Sequence, residues 1–220
     1  MLQPPLADVE VRVLGALIEK AVTTPDVYPL SLSGLTAACN QTSNRDPIMR
    51  LDEEQVSQAV TTLRRRNLLR AIQPMGSRVT KHQHLLADAL NLDARELAVL
   101  GVLMLRGSQT AGELYTRTAR LAEFAGIPDV EATLDALIAR EPEALVTRLA
   151  RRPGQKEVRY AHLMAGEPAI SSAPDVAEPA RAPAAEVQDD RVAALERTVD
   201  ELRAELAALR ERFEEFRAQF

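Results

Sequence analysis

Glu10-Val-Arg-Val-Leu-Gly-Ala-Leu17 returns further along the chain as Glu96-Leu-Ala-Val-Leu-Gly-Val-Leu103. Both copies carry apolar side chains at helical spacing, so each opens a structural unit with a helix. Further matches follow in the same order. Val56, Val60 and Leu63 correspond to Val130, Leu134 and Leu137, a spacing of four then three that sets each trio on one helix face. Lys81-His-Gln-His-Leu-Leu-Ala87 corresponds to Arg159-Tyr-Ala-His-Leu-Met-Ala165. The body is therefore expected to be one architectural unit made twice, each copy with its own core.

Local signals fill in each unit. In the first, residues 31 to 41 (SLSGLTAACNQ) predict a second helix, and Asp52 caps a third running to Arg66, with Glu53 and Glu54 in the first turn where the helix dipole favours them. Short strands over residues 68–72 and 79–86 flank the turn at residues 73–77. In the second unit a helix starts near Asp93, another spans Thr110 to Phe124, and Asp129 caps a third. Strands over residues 145–149 and 157–164 then flank Arg151-Arg-Pro-Gly-Gln-Lys156, where Pro-Gly specifies a tight turn. Three helices and a hairpin make a winged helix. The expected fold class is mainly α with small β-hairpins (α+β): winged-helix domains at 1–87 and 88–165, a linker at 166–188 and a coiled-coil helix at 189–220.

The linker contains Pro168, Pro174, Pro179 and Pro183 among alanines and serines, without apolar periodicity. Beyond it, Val192, Leu195, Val199, Leu202, Leu206, Leu209, Phe213, Phe216 and Phe220 alternate three and four residues apart. That is a heptad seam of about four repeats, with valine at early a positions and leucine at d, which favours two strands. In a parallel pair Arg191 faces Glu196 and Glu205 faces Arg210, against one repulsion between Arg212 and Arg217. A parallel homodimer is expected.

Composition bounds the rest. Of 220 residues, 46% are hydrophobic and 27% charged, enough apolar material for packed cores. The longest apolar run, Leu97 to Leu105, is far short of the ~20 residues a membrane helix needs, and the N-terminus lacks the basic and apolar regions of a signal peptide. With one cysteine, Cys39, a reducing cytoplasm and no membrane partner are expected. The net charge of −5 is unevenly spread, since residues 166–190 alone carry six acids against one base. The two repeats are near neutral, so the overall acidity does not exclude nucleic acid.

The stretch TTPDVYPLSLSGLTAACNQTSNRDPI (residues 23–48), LRGSQTAGEL (105–114) and the Arg159 to His162 ending closely resemble the YceH family of uncharacterised bacterial proteins. The likeness covers about residues 6 to 165. This sequence departs from that pattern at Ser33, where Asn is expected, and at Tyr115, where Arg is expected. The resemblance implies tandem winged helices and brings no established activity.

For DNA, the third helix of the first unit is the leading candidate. Opposite its apolar trio stand Gln55, Gln58, Thr61, Thr62 and Arg65, side chains suited to base edges and phosphates. Glu53 and Glu54 oppose phosphate at the same helix's start. In the second unit Glu131 and Asp135 make groove insertion improbable, leaving Arg151, Arg152 and Lys156 at the hairpin tip as contacts. The polar run containing Asn40, Gln41, Asn44 and Arg45 either satisfies loop backbone or presents hydrogen bonds to a partner. Arg45 and Asp46 read as a local ion pair.

Catalytic and metal sites find no support. His84 and His162 occupy equivalent positions in different repeats, and strand alternation sets His82 with His84 on one face and Lys81 with Gln83 on the other. Cys39, beside Ala37 and Ala38, reads as a buried small side chain. No phosphate loop or dinucleotide fingerprint occurs, and no cofactor is expected. The chain reads as a non-enzymatic, dimeric DNA-binding regulator, with a protein-interaction scaffold as the alternative.

Overall fold

The computed structural model describes residues 4–76, 78–150 and 157–168. The first repeat runs α1 (Asp8–Thr23), β1 (Leu30–Ser31), α2 (Leu32–Cys39), α3 (Glu53–Arg65), β2 (Leu69–Ile72) and β3 (Lys81–His84). After a connecting α4 (Leu86–Leu90), the second runs α5 (Ala94–Arg106), β4 (Gln109–Thr110), α6 (Ala111–Thr118), α7 (Ile127–Ile138), β5 (Val146–Arg148) and β6 (Arg159–His162). The fold is mixed α and β, with seven helices and two small antiparallel sheets among the described residues.

The helices begin where the sequence supplies acceptors for their free N–H groups. Asp52 Oδ1 accepts the Gln55 N–H at 2.8 Å while Gln55 Oε1 accepts the Asp52 N–H at 3.0 Å, a reciprocal cap. Asp93 with Glu96 and Thr110 with Glu113 do the same for α5 and α6. In α2, Ser31 Oγ accepts the Gly34 N–H, and glycine at that position has nothing to return.

Each hairpin gains a third strand that sequence periodicity could not reveal. The two-residue β1 and β4 pair with β3 and β6, giving orders β1-β3-β2 and β4-β6-β5. Ser31 stands opposite Lys81 as Thr110 stands opposite Arg159, and His84 opposite Leu69 as His162 opposite Val146. The repeat thus extends to register.

Four expectations are corrected. The strand expected to reach residue 86 stops at His84, because Leu86 is wholly buried and opens α4. Asp129 is not the cap of α7: Gly126 holds that position, and Asp129, in the first turn, turns its Oδ2 back to the Ala125 N–H at 3.1 Å. The helix expected to reach Phe124 ends at Thr118, whose carbonyl accepts both the Leu121 and Ala122 N–H groups in a turn. Finally, separate cores are not found. Buried residues from Leu6 to Met164 form one continuous cluster, joined where α1 packs on α5. At that crossing a β-carbon on Gly15 would stand 3.0 Å from Leu105 Cδ2. The heptad seam, Val192 to Phe220, and the linker beyond Pro168 lie outside the described residues.

Candidate nucleic-acid interface

Helix α3 is positioned by its apolar trio: Val56 and Leu63 are fully buried and Val60 nearly so. That anchoring turns Gln55, Gln58, Thr61 and Arg65 outward, all exposed, with Thr62 half-buried beside them. Most of these polar groups rest on their own helix. Gln58 Nε2 donates to Glu54 Oε1 at 3.3 Å, the Thr61 hydroxyl to the Ser57 carbonyl at 2.9 Å and the Thr62 hydroxyl to the Gln58 carbonyl at 3.2 Å. The Arg65 guanidinium has no partner among the described residues. Arg50 and Arg64 are exposed before and within the helix, and Arg70 on β2 is exposed and donates to Gln83 Oε1. At the β2–β3 turn Met75 is fully exposed beside Gly76, whose φ of 79° is the left-handed conformation glycine allows, with Arg78 exposed just beyond. Glu53 and Glu54, both exposed, set negative charge at the start of α3.

The second repeat presents a different face. Outward from Val130, Leu134 and Leu137, helix α7 carries Glu131, Ala132, Asp135 and Ala136, all exposed, and Ala139 at its C-cap is exposed as well. Asp135 takes an ion pair from Arg148 at 2.7 Å. No cation or amide on α7 replaces those of α3. Arg151, Arg152 and Lys156 lie outside the described residues.

The polar run after α2 is bound inward. Asn40 closes the loop by donating to the Leu51 carbonyl and accepting the Leu51 N–H, both at 2.7 Å. Arg45 is not paired with Asp46 but with Glu19 of α1, its Nη2 lying 2.6 Å from Glu19 Oε2 with no side-chain exposure. It also donates to the Ala38 carbonyl and to Gln41 Oε1. Asn44, at φ 58°, accepts from Arg106 at the end of α5, and the Asp46 N–H donates to the Leu105 carbonyl at 2.8 Å. All four candidates thus fasten the loop to α1, α2 and α5. The anchor the sequence reading missed is Arg12, buried in α1 and donating to the Cys39 and Pro47 carbonyls. The repeat held its signal: Arg12 and Glu19 occupy positions where the second copy has Ala98 and Leu105.

Burial governs the titratable groups of the interior. Burial pushes the Cys39 thiol up to about 12, away from any thiolate role at neutral pH. His82 and His84 face inward as strand alternation requires, and burial lowers both. Tyr28 Oη accepts the His84 N–H at 3.0 Å. Among the described residues no cluster of three metal-ligating side chains occurs, and no helix is long and apolar enough to cross a membrane.

Residues 6–155 match the family model described as a protein of unknown function, DUF480. The chain belongs to this family. It is similar to proteins of the matching UPF0502 group: 50% identical to one from Geobacter sulfurreducens across 98% of both chains. Its counterpart from Opitutus terrae is 49% identical over 87% of this chain and 84% of its own. A third, from Serratia proteamaculans, is 46% identical over 92% of this chain and 94% of its own. The likeness expected from residues 23–48 thus holds, and the DUF480 match covers the first repeat and the second as far as residue 155.

Proposed function

We propose that this DUF480 protein is a tandem winged-helix protein that binds DNA through its first repeat and dimerises through the heptad seam at residues 189–220. The observation that carries the reading is the outward face of α3, where Gln55, Gln58, Thr61 and Arg65, the last without a partner among the described residues, stand in one exposed stripe beside a hairpin bearing Arg78. A helix of this kind fits the major groove while the hairpin follows the backbone. Amides and hydroxyls parked on their own helix exchange those bonds for base edges at little cost, and Arg64 and Arg65 supply phosphate contacts at the helix end. The acidic stripe of α7 leaves the second repeat out of the groove. The protein is not an enzyme in this reading.

Gel-shift titration with genomic fragments at several salt concentrations tests it. Binding with a log-log salt slope of several units supports the reading, each phosphate contact contributing about 0.9. The second reading, a protein-interaction scaffold, is favoured by the exposed alanines and acids of α7. It predicts no shift at low salt, and partners retained from lysate whether or not nuclease is added.

A further inference from the structure

The two repeats differ at one pair of positions in a way that leaves a vacancy. In the second, Arg159 at the start of β6 is neutralised by Glu113 in the first turn of α6, at 3.3 Å, and Glu113 also closes the reciprocal cap with Thr110. In the first, Lys81 holds the Arg159 position in register, and Gly34 stands three residues after the cap Ser31, where Glu113 stands after Thr110. Lys81 therefore meets no carboxylate among the described residues, only a 3.5 Å contact to the Val27 carbonyl. A β-carbon on Gly34 would meet Ser31 Oγ alone, at 3.3 Å.

The space so left is an open groove of about 510 Å³ bounded by the end of α1, residues 24–30, α2 and Lys81. That is within the range of small-molecule sites, ~300 to 1,000 Å³. The second repeat has no counterpart to one wall, because α5 is joined to β4 by Gly107 and Ser108 alone whereas residues 24–29 intervene in the first. The floor is Gly34, Ala37 and Ala38, small enough for a ligand to approach the helix, with Leu30 as apolar lining. Lys20 stands on the rim. Its nearest carboxylate, Glu19 at 4.0 Å, is already engaged by Arg45. Against two ammonium groups the lining offers one acid, Asp26.

We infer that this groove binds a small organic carboxylate, whose carboxyl group sits beside Lys81 where the second repeat supplies its own from Glu113, and whose aliphatic part lies over Gly34, Ala37 and Ala38. The site is independent of the DNA reading. A monoanion balances the lining charge, and a short aliphatic tail matches the floor.

Titration of the ¹⁵N-labelled full chain with butyrate, followed by two-dimensional NMR, tests this. Saturable shifts confined to Gly34, Ala37, Leu30 and Lys81 are expected, absent with neutral butyramide. Inorganic phosphate as a third probe separates a carboxylate site from a general anion site: equal or tighter phosphate binding overturns the carboxylate assignment. Gly34→Glu installs the carboxylate that the second repeat already has and completes a cap with Ser31, so it is expected to abolish the butyrate shifts while raising the melting temperature. Lys81→Met, at a surface position, is expected to weaken binding at least tenfold. No saturable shift up to about 50 mM, far above the ~1 mM end of weak specific affinity, overturns the proposal. So do butyrate shifts that persist unchanged in Gly34→Glu.

Discussion

Gly101 lies so close to Ile18 that a β-carbon on it would stand 2.8 Å from Ile18 Cγ2. The repeat pairs Gly101 with Gly15 and Ile18 with Met104, and Gly15 in turn would meet Met104 Cβ at 3.2 Å. The two contacts are therefore counterparts of one another under the repeat, each glycine taking the side chain three residues after its counterpart on the facing helix. Such a seam is self-complementary, like the interface of a symmetric dimer contained in one chain. Ile18 is 1% exposed and branched at Cβ, so it cannot swing clear. Gly101→Ala is expected to lose about 1 kcal/mol net, overpacking of ~1 to 3 partly offset by up to ~1 of helix propensity. Ile18→Leu moves the branch off Cβ, so urea unfolding of the double variant should show less than the summed loss.

The Glu19–Arg45 pair predicts a larger effect. Arg45→Met removes a cation whose side chain has no exposure and frees the Ala38 carbonyl, Gln41 and Glu19 from their donor. Breaking such a pair costs about 3 to 5 kcal/mol, whereas replacing both partners by apolar residues is far milder. Glu19→Leu combined with Arg45→Met should therefore recover much of the stability, since the second repeat already carries Leu105 at the Glu19 position. A double-mutant cycle in urea checks this, and a single-variant loss below about 1 kcal/mol would contradict it.

Local chemistry made the helices legible. Asp52, Asp93 and the two apolar trios announce α3, α5 and α7 because capping and helical spacing act within a few residues. Strands β1 and β4 were not legible, because two residues carry no period and their pairing to β3 and β6 is set by the fold. The inward role of Asn40 to Arg45 depended on Glu19 and Arg106, which lie far away in sequence. What could have been read is the departure from the repeat: Arg12 against Ala98, Glu19 against Leu105 and Gly34 against Glu113 mark where the first copy has polar anchors and lacks an acid.

The DNA reading makes a residue-level prediction. Arg65→Ala is expected to weaken binding similarly across sequences and to lower the salt slope by about one, as loss of a single phosphate contact does. Gln58→Ala should instead relax sequence preference with the slope unchanged. Glu131→Gln with Asp135→Asn in α7 should leave both unchanged. Gel shifts at three salt concentrations separate the cases, and an α7 variant that alters affinity as much as Arg65→Ala would reassign the interface.

Under the proposed function, dimerisation rests on the seam alone. Sedimentation equilibrium on the full chain should give a dimer, and a chain ending at Gly166 a monomer or weaker dimer. Leu202→Lys with Leu206→Lys, which places charge at d and a positions, should halve the mass without moving the thermal transition of the repeats. An unchanged mass in both would place self-association elsewhere.

His162 sets an acid limit on stability. Burial lowers it to about 4, opposed only in part by the carboxylate of Asp8, and its Nδ1 is buried without a hydrogen-bond partner among the described residues. The folded state therefore holds the ring neutral, while the unfolded chain protonates it at the ordinary value of about 6.5. Above pH 6.5 neither state binds the proton and this residue makes stability independent of pH. Between about 6.5 and 4 the unfolded state gains a proton that the folded state refuses, so stability falls as pH falls, by up to about 3 kcal/mol. Below about 4 both states are protonated and the loss stops growing. His82 and His84, lowered for the same reason, act in the same direction. Because other groups also titrate as the pH falls, the His162 share must be isolated by substitution. His162→Gln should flatten the fall in urea midpoint between pH 7 and pH 4.5 relative to the parent chain. An identical fall in the two proteins would show that His162 takes up its proton in the folded state.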